Sequence, residues 1–176
     1  MRHFIHTTFL GKEVRQSEEG FRLWEKVLSL IKPVQIIELG TCPGTLSLYF
    51  LLYTMENADI SFHTFDNQDC SQGYLKNKIN FNSYFKQLDI RESVEMIKGL
   101  IQNKKRTLLF CDDGDKLWEF ITFAPFLKVN DIIGAHDWNV EISHDDIKDV
   151  ISKENLKPIF DEINDSSKTF IKLFQK

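Results

Sequence analysis

Two stretches of this 176-residue chain place acidic side chains just after apolar runs. Asp113 comes after the run 107–111 and has Lys116 three residues later, and Asp137 comes after the run 132–135. If these runs are neighbouring parallel strands, their carboxyl ends meet at one edge of a sheet and the two carboxylates converge there. Paired carboxylates with room for water suit a hard cation such as Mg²⁺. Such an ion would stabilise the developing oxyanion of a substrate hydroxyl group and orient it for reaction.

A third stretch, Val34–Gly44, has the pattern of a buried strand followed by a glycine turn. The apolar run ends at Glu38, and Gly40 and Gly44 are separated by three residues. A strand that passes through a glycine turn into a helix presents main chain to a ligand at the edge of an open sheet. The turn lacks both the Lys-Ser/Thr ending of a phosphate loop and the third glycine of the dinucleotide fingerprint. The pattern therefore favours a nucleoside-like cofactor, with an ordinary tight turn as the alternative.

Acidic residues also end the next two predicted strands. Asp66 stands where open α/β folds hold a ribose, and a carboxylate there can accept hydrogen bonds from the 2′ and 3′ hydroxyls. Asp89 would lie near the adenine, but a helix N-cap ahead of Arg91 is an equally good interpretation.

Apolar and amphipathic runs alternate along the chain, which is typical of a parallel sheet with helices on both faces. The predicted strands are 34–38, 60–65, 85–88, 107–111 and 132–135. The predicted helices are 18–31, 45–54, 93–101, 117–127 and 144–153, the last with acids in its first turn that suit the helix dipole. The polar residues 67–83 predict a loop with an irregular helix.

The end of the chain breaks this alternation. Two strand-like runs, 156–163 and 168–174, are joined by only four residues, which predicts an antiparallel hairpin. The expected fold class is α/β, with a Rossmann-like, doubly wound, mostly parallel sheet of about seven strands and a C-terminal antiparallel hairpin. This layout resembles the class I S-adenosylmethionine-dependent methyltransferases over nearly the whole chain.

The resemblance implies S-adenosyl-L-methionine as the cofactor. The Glu-Leu-Gly-x-x-x-Gly turn resembles the first motif of that superfamily, whose main chain approaches the methionine part of the cofactor. The cofactor-binding residues implied in this way are Glu38, Gly40, Thr41, Gly44, Asp66, Asp89 and Asp113.

The run Asp113-Gly-Asp-Lys116 resembles the Asp-x-x-Lys element of metal-dependent catechol and caffeoyl-coenzyme A O-methyltransferases. That resemblance implies two catalytic residues: Asp113 as a ligand of Mg²⁺ or a similar divalent cation, and Lys116 as the base that takes the hydroxyl proton. A lysine can act as a base if burial or a nearby cation lowers its pKa. The residues alone also permit a structural alternative, in which Asp113 caps a helix and Lys116 is solvated in its first turn.

The stretch after the fifth strand departs from that pattern. Those enzymes have Asp-Asn there, whereas Asp137 is followed by Trp138 and then by Asn139. Trp138 is a candidate for the wall of an aromatic or sugar-binding pocket. The expected metal ligands are Asp113, Asp137 and Asn139, with His136, Asp112 or water as alternatives for the third position.

The front of the chain carries a second resemblance. Thr7–Gln16, Leu23-Trp24 and Lys32-Pro33 look like the lead-in of cephalosporin hydroxylase-type and rhamnosyl O-methyltransferase proteins, which have His where this chain has Lys116. Together the resemblances imply O-methylation of a small-molecule hydroxyl group on a sugar or a phenol. A non-catalytic cofactor-binding protein of the same fold is one alternative. An NAD-linked oxidoreductase is another, disfavoured by the missing third glycine.

Length and composition set the remaining expectations. At 176 residues the chain suits a single domain, 1–176, in which residues 1–20 are a candidate lid. The 22 basic and 26 acidic residues form no basic stripe, so nucleic acid is not an expected partner, and no run is long enough to predict a membrane span. Three cysteines without metal-type spacing favour the cytoplasm. The 12% aromatic content permits a homodimer face, although core packing explains it equally well.

Overall fold

The computed structural model describes residues 7–57, 59–69, 80–103 and 106–176, which form two sheets with helices around the larger one. The smaller sheet is a hairpin of β1 (Thr7–Phe9) and β2 (Lys12–Val14). The larger sheet contains β3 (Gln35–Leu39), β4 (Ser61–Asp66), β5 (Phe85–Gln87), β6 (Thr107–Cys111), β7 (Ile132–Ala135), β8 (Lys157–Pro158) and β9 (Lys172–Gln175). The helices are α1 (Glu18–Ile31), α2 (Thr45–Glu56), α3 (Val94–Ile101), α4 (Lys116–Phe123), α5 (His144–Glu154) and α6 (Ser166–Thr169).

The large sheet reverses its strand order in the middle. Its order is β5-β4-β3-β6-β7-β9-β8. Strands β3 to β7 pair in parallel, and β9 pairs antiparallel with both β7 and β8. The chain extends the sheet from β3 through β4 to β5, then returns to the other side of β3 and continues through β6 and β7. Open α/β sheets bind ligands at the carboxyl ends of the strands where the order reverses, which here is between β3 and β6.

Helices cover both faces of this sheet. Along β6, Leu108 and Phe110 pack in the core under α1 and α2, whereas Leu109 and Cys111 pack in the core under α3, α4 and α5. The fully buried Trp24 of α1 lies edge-on to Phe110, with ring centroids 4.8 Å apart. Every residue of β3 and β6 is buried, as is typical of central parallel strands that are covered on both faces.

The predicted doubly wound sheet is confirmed, and helix 18–31 and strands 107–111 and 132–135 have their predicted bounds. Local signals explain this agreement for α1. The side chain of Ser17 accepts a hydrogen bond from the N–H of Gly20, and the helix ends at Lys32, which is left-handed (φ 49°) and precedes Pro33. The acids of the first turn of α5 also stand as predicted, behind a capping box between Ser143 and Asp146.

Three details differ from the prediction. The C-terminal strands pair antiparallel as expected, but they are shorter, and α6 lies in the longer connection between them because Asp165 caps it. The predicted helix 117–127 gives way after Phe123 to a 3₁₀ turn that contains Pro125. The hairpin β1–β2 was not predicted, because its strands are only three residues each. Of the predicted loop 67–83, residues 70–79 lie outside the described residues.

Within the described ranges, no helix combines the length and apolar character that crossing a lipid bilayer requires.

Gly40 brings the ends of β3 and β6 into main-chain contact. Its φ is +95°, and a Cβ atom at this position would lie 2.4 Å from the carbonyl carbon and oxygen of Asp112 and 2.5 Å from the nitrogen of Asp113. Main-chain atoms cannot rotate aside as a side-chain tip can. The position therefore excludes any side chain unless the two strands separate.

We expect Gly40→Ala to destabilise the protein by more than the roughly 1–2 kcal/mol of left-handed strain alone, because β6 must also shift. Gly99→Ala is the matched control: Gly99 lies in α3, and a Cβ there would have nothing within 4 Å. The control should gain about 0.5–1 kcal/mol from reduced chain entropy. Urea unfolding of both variants measures the difference, and equal stability of Gly40→Ala and the unchanged protein would contradict the close approach.

Candidate functional site

A cavity of about 810 Å³ opens where β3, β4, β6 and β7 end. Its volume lies in the range of small-molecule sites. The wall combines main chain of the glycine turn, at Gly40 and Cys42, with side chains from the neighbouring strand ends and from the segment after β2. The ionisable groups of the wall are Asp66, Asp112, Asp113, Asp137, Glu141, Arg15, Lys116, His136 and Lys168.

Asp66 holds the glycine turn through main-chain hydrogen bonds. Its Oδ2 atom accepts from the N–H groups of Thr41 at 3.0 Å and Cys42 at 3.1 Å, and its Oδ1 atom accepts from the N–H of Gln68 at 2.9 Å. A carboxylate has about four acceptor positions, so most of this one is already used. Asp66 still lines the cavity, with about one acceptor position left for a ligand. Its contact with the two ribose hydroxyls stays a prediction.

Gly44 ends the turn and begins α2. Its φ is +88°, and it occupies the N-cap position of α2 without a side chain to cap the helix. Its N–H donates to the carbonyl of Thr41, which closes the turn. Gly44 therefore has a conformational role. Thr41 uses both of its main-chain groups in the turn: its N–H donates to Asp66 and its carbonyl accepts from Gly44.

Glu38 lies buried behind the turn and does not line the large cavity. Its Oε2 atom accepts hydrogen bonds from the hydroxyls of Ser47 and, at 2.6 Å, Thr64. The Thr64 hydroxyl is in turn 2.7 Å from that of Thr41. Burial raises the pKa of Glu38 to about 8, although these two hydrogen bonds favour the charged form. Glu38 borders only a narrow space of about 10 Å³ beside Gly40, roughly the size of one water molecule.

Asp89 lies outside the cavity, on the surface. Its Oδ1 atom accepts a hydrogen bond of 2.8 Å from the N–H of Arg91, where a 3₁₀ turn begins. Of the two interpretations of Asp89, the structure supports the cap and not the adenine contact.

Asp112, His136 and Asp137 form a cluster at the ends of β6 and β7. Nδ1 of His136 lies 3.0 Å from Oδ1 of Asp112 and 3.6 Å from Oδ2 of Asp137. One ligand atom from each residue lies within 4.8 Å of the others. The register explains the grouping: Cys111 pairs with Ala135, so the next residues of the two strands, Asp112 and His136, stand side by side.

Two of the three expected metal ligands lie outside this cluster. Asp113 lines the cavity but is not a member, and burial raises its pKa above the usual range. Asn139 is exposed, does not line the cavity and has a left-handed backbone (φ 63°) that asparagine tolerates well. Of the three expected ligands, only Asp137 is a member of the cluster. Its other two members, Asp112 and His136, are residues that the sequence offered as alternatives for the third ligand.

Two further sequence interpretations are corrected. Trp138 is 5% exposed and packs against Phe174 in the core, so it does not form a pocket wall. The cap of α4 is Asp115, whose carboxylate accepts from the N–H of Trp118 at 3.1 Å, so Asp113 is not a helix cap.

Lys116 is a buried ammonium group surrounded by oxygen atoms. Its Nζ atom lies 3.1 Å from Oδ2 of Asp137 and 2.9 Å from Oε2 of Glu141, and it donates to the carbonyl of Asp113 at 2.8 Å. Burial alone would lower the pKa of Lys116, but the charges of Asp112, Asp137 and Glu141 raise it above its ordinary value. A protonated amine donates and does not accept. This geometry therefore supports Lys116 as the charged partner of Asp137 rather than as the predicted base.

Three residues of the site were missed from the sequence. Gln16 is 3% exposed, and its Nε2 atom donates to Oδ2 of Asp112 at 3.3 Å. Glu119 is buried in α4 and accepts from the N–H of Asp113, and burial raises its pKa well above the usual range. Glu141 is the second carboxylate on Lys116. Only Glu119 had a signal, as an acid on the apolar face of a predicted helix.

Solved structures share this architecture at low sequence identity. No protein-family model matches the sequence, and no curated protein matches it. A structure of CmcI with Mg and SAM aligns with a TM-score of 0.70 at 15% identity, over 97% of this chain and 76% of that one. A Staphylococcus aureus protein assigned as a caffeoyl-CoA O-methyltransferase aligns with a TM-score of 0.60 at 14% identity, over 88% of this chain and 82% of that one.

The chain has the fold of the class I S-adenosylmethionine-dependent methyltransferases. The resemblance inferred from the sequence is thereby confirmed at the level of the fold. In this methyltransferase fold, the cavity lies where the strand order reverses, and both the glycine turn and the Asp112–His136–Asp137 cluster open into it.

The raised pKa of Glu38 predicts a pH dependence of folding stability. Its pKa is near 4.5 in the unfolded chain and about 8 in the folded protein, so the folded protein binds one more proton between these values. This contribution is fully present below pH 4.5 and is lost as the pH rises through about 8, at about 1.4 kcal/mol per pH unit. Glu38→Gln cannot ionise and keeps an acceptor for both hydroxyls.

We therefore expect Glu38→Gln to gain stability relative to the unchanged protein as the pH rises from 5 to 8. The control is Glu56→Gln, since Glu56 is exposed at the end of α2 and should show no such trend. Urea unfolding across this pH range measures both variants. Parallel stability curves for Glu38→Gln and the unchanged protein would refute the buried, protonated carboxyl.

Proposed function

We propose that this protein is an S-adenosylmethionine-dependent methyltransferase that methylates a hydroxyl group of a small molecule, such as a sugar or a phenol, with the help of a divalent cation. The observation that carries the proposal is that one cavity joins the glycine turn to the cluster of Asp112, His136 and Asp137. The fold supports it, since CmcI has been solved with Mg and SAM.

The glycine turn supports the cofactor end of the cavity. Gly40, Cys42 and Asp66 line it, and Asp66 fixes the main chain there through Thr41 and Cys42. The cofactor carries a positive sulfonium and a positive amino group, which a wall rich in carboxylates attracts. Asp113, half-buried beside the turn, remains the predicted contact for one of these charges.

The reaction exchanges two bonds and releases one proton. The bond from the sulfonium sulfur to the methyl carbon breaks as the acceptor oxygen bonds to that carbon, which leaves a neutral thioether. Asp112, His136 and Asp137 would hold the cation, whose charge would lower the pKa of a hydroxyl group bound to it. The hydroxyl proton needs an acceptor in the wall. We assign this role to Asp113, because it lines the cavity and burial raises its pKa above the ordinary value of an aspartate.

A second candidate function follows from the charges of the cluster. His136 already contacts Asp112 at 3.0 Å, and Lys116 contacts Asp137 at 3.1 Å. Two side-chain cations therefore balance two carboxylates without an ion. A non-catalytic protein that binds the cofactor and no metal would fit this arrangement.

Titration with S-adenosylhomocysteine tests the cofactor site. We expect the unchanged protein to bind it, and Asp66→Asn to bind about 10-fold or more weakly, because an amide nitrogen would face the N–H groups of the turn. Asp89→Asn is the matched control, an acid after the neighbouring strand that only caps an exposed turn. Its affinity should stay within about 2-fold. Calorimetry measures all three, and the absence of binding to the unchanged protein would overturn the proposed function.

A pair of adjacent variants tests the metal ligands. Asp112→Asn should reduce cation-stimulated methyl transfer about 10- to 100-fold and leave the affinity for S-adenosylhomocysteine nearly unchanged. Asp113→Asn should lower turnover but keep the stimulation by the cation. Transfer of labelled methyl groups to a panel of catechols and sugars, with and without a chelator, provides the measurement. If only Asp113→Asn loses the stimulation by the cation, the metal ligand is Asp113, as expected from the sequence, and not Asp112.

A further inference from the structure

We propose that the cluster of Asp112, His136 and Asp137 takes a first-row transition ion, such as Fe²⁺ or Zn²⁺, in preference to Mg²⁺. The inference rests on the proposed function and concerns the ion at the same site. The cluster offers one imidazole nitrogen and two carboxylate oxygens. Mg²⁺ is bound through oxygen ligands, whereas imidazole is a ligand of iron, zinc, copper and nickel. The donor set therefore differs from the one that favours Mg²⁺.

The spacing of the donor atoms fits a single small ion. Nδ1 of His136 is 3.0 Å from Oδ1 of Asp112 and 3.6 Å from Oδ2 of Asp137. Two ligands at about 2.1 Å from one ion lie about 3.0 Å apart at a right angle and about 3.4 Å apart at the tetrahedral angle. The two separations from the imidazole nitrogen are close to these values, and one ligand atom from each of the three residues lies within 4.8 Å of the others.

His136 is held in place by rigid elements. It follows β7 directly, its N–H donates to the carbonyl of Cys111 at 3.0 Å, and its ring lies against that of Phe110 with centroids 6.4 Å apart. The side chain is 12% exposed. A nitrogen donor fixed by strand pairing on one side and a buried ring on the other is oriented before any ion arrives.

Gln16 orients Asp112 toward the cluster. Nε2 of the buried Gln16 donates to Oδ2 of Asp112, which leaves Oδ1 facing His136. The Oε1 atom of Gln16 is buried without a hydrogen-bond partner among the described residues. Lys116 contacts Glu141 and also Oδ2 of Asp137, the same oxygen that faces His136, so an ion would share this oxygen with the ammonium group. An outer hydrogen bond such as the one from Gln16 fixes the direction of a metal ligand. The competing arrangement, in which His136 and Lys116 neutralise the carboxylates themselves, predicts that no ion binds.

Titration of the metal-free protein with Co²⁺ and with Mg²⁺ tests the proposal. Most sites bind Co²⁺ more tightly than Mg²⁺, so tighter Co²⁺ binding alone proves nothing. The test is how much the ratio of the two affinities changes when the imidazole is removed. We expect the unchanged protein to bind Co²⁺ with visible absorption bands, and His136→Asp to reduce the ratio of Co²⁺ to Mg²⁺ affinity about 10-fold or more. The control is His144→Asp, at the exposed start of α5, which should leave the ratio unchanged.

Pulsed electron paramagnetic resonance of bound Mn²⁺ gives a second readout that does not depend on relative affinities. A nitrogen-14 coupling in the unchanged protein supports His136 as a ligand, and its loss in His136→Asp but not in His144→Asp assigns it. No Co²⁺ binding, an unchanged affinity ratio in a folded His136→Asp, or bound Mn²⁺ without nitrogen coupling would each overturn the proposal.

S-adenosylhomocysteine titration of the same samples separates this proposal from the proposed function. If the protein binds S-adenosylhomocysteine but not Co²⁺, only the metal inference is refuted. If it binds Co²⁺ but not S-adenosylhomocysteine, only the proposed methyltransferase function is refuted. If His136→Asp still binds S-adenosylhomocysteine, this variant is folded. If the variant does not fold, the nitrogen-14 coupling of Mn²⁺ bound to the unchanged protein decides whether a histidine is a ligand.

Discussion

The main-chain contact between Gly40 and Asp112 is the constraint on which the site depends. It joins β3 to β6 at the point where the strand order reverses, and it exists only because Gly40 has no side chain. The contact puts the turn that begins at Gly40 directly beside the residue that starts the acidic cluster. The glycine turn and the acidic cluster therefore line one cavity on adjacent strand ends, where the proposed function puts the cofactor and the cation.

The carboxylates around this contact are stabilised in three different ways. Asp66 accepts from main-chain N–H groups, Glu38 is buried between two hydroxyls with a raised pKa, and Asp112 and Asp137 lie beside the cations His136 and Lys116. Burying a charge without a partner costs several kcal/mol, so each acid needs one of these arrangements. The same arrangements divide their roles: Asp66 shapes the turn, Glu38 supports it from behind, and the paired acids remain at the cavity.

The sheet could be predicted from the sequence because its central strands are short apolar runs. The alternation of side chains between the two faces of a strand would also have identified part of the site. Side chains two apart share a face, so Phe110 and Asp112 point to the same side of β6, and the pairing of Cys111 with Ala135 sets His136 level with Asp112. Counting in this way selects Asp112, whereas the family motif selected Asp113. Asp137 could not be found by alternation, because its left-handed backbone (φ 53°) turns the chain out of the strand. Gln16 had no local signal, since its place depends on the fold of the hairpin before it.

The β1–β2 hairpin fixes the position of the segment that follows it beside the cavity. Phe9 stacks on Phe21 at 5.6 Å and meets the edge of Tyr49 at 5.7 Å, and the hydroxyl of Thr45 donates to the carbonyl of Glu13 at 2.6 Å. These contacts tie β1 and β2 to α1 and α2, which themselves pack on the sheet. The segment after β2 therefore stands as a wall of the cavity, with Gln16 bonded to Asp112 at its base. Under the proposed function an acceptor would enter past this wall, and the shape of the wall and the charge of Arg15 in its lining would set the selectivity for the acceptor.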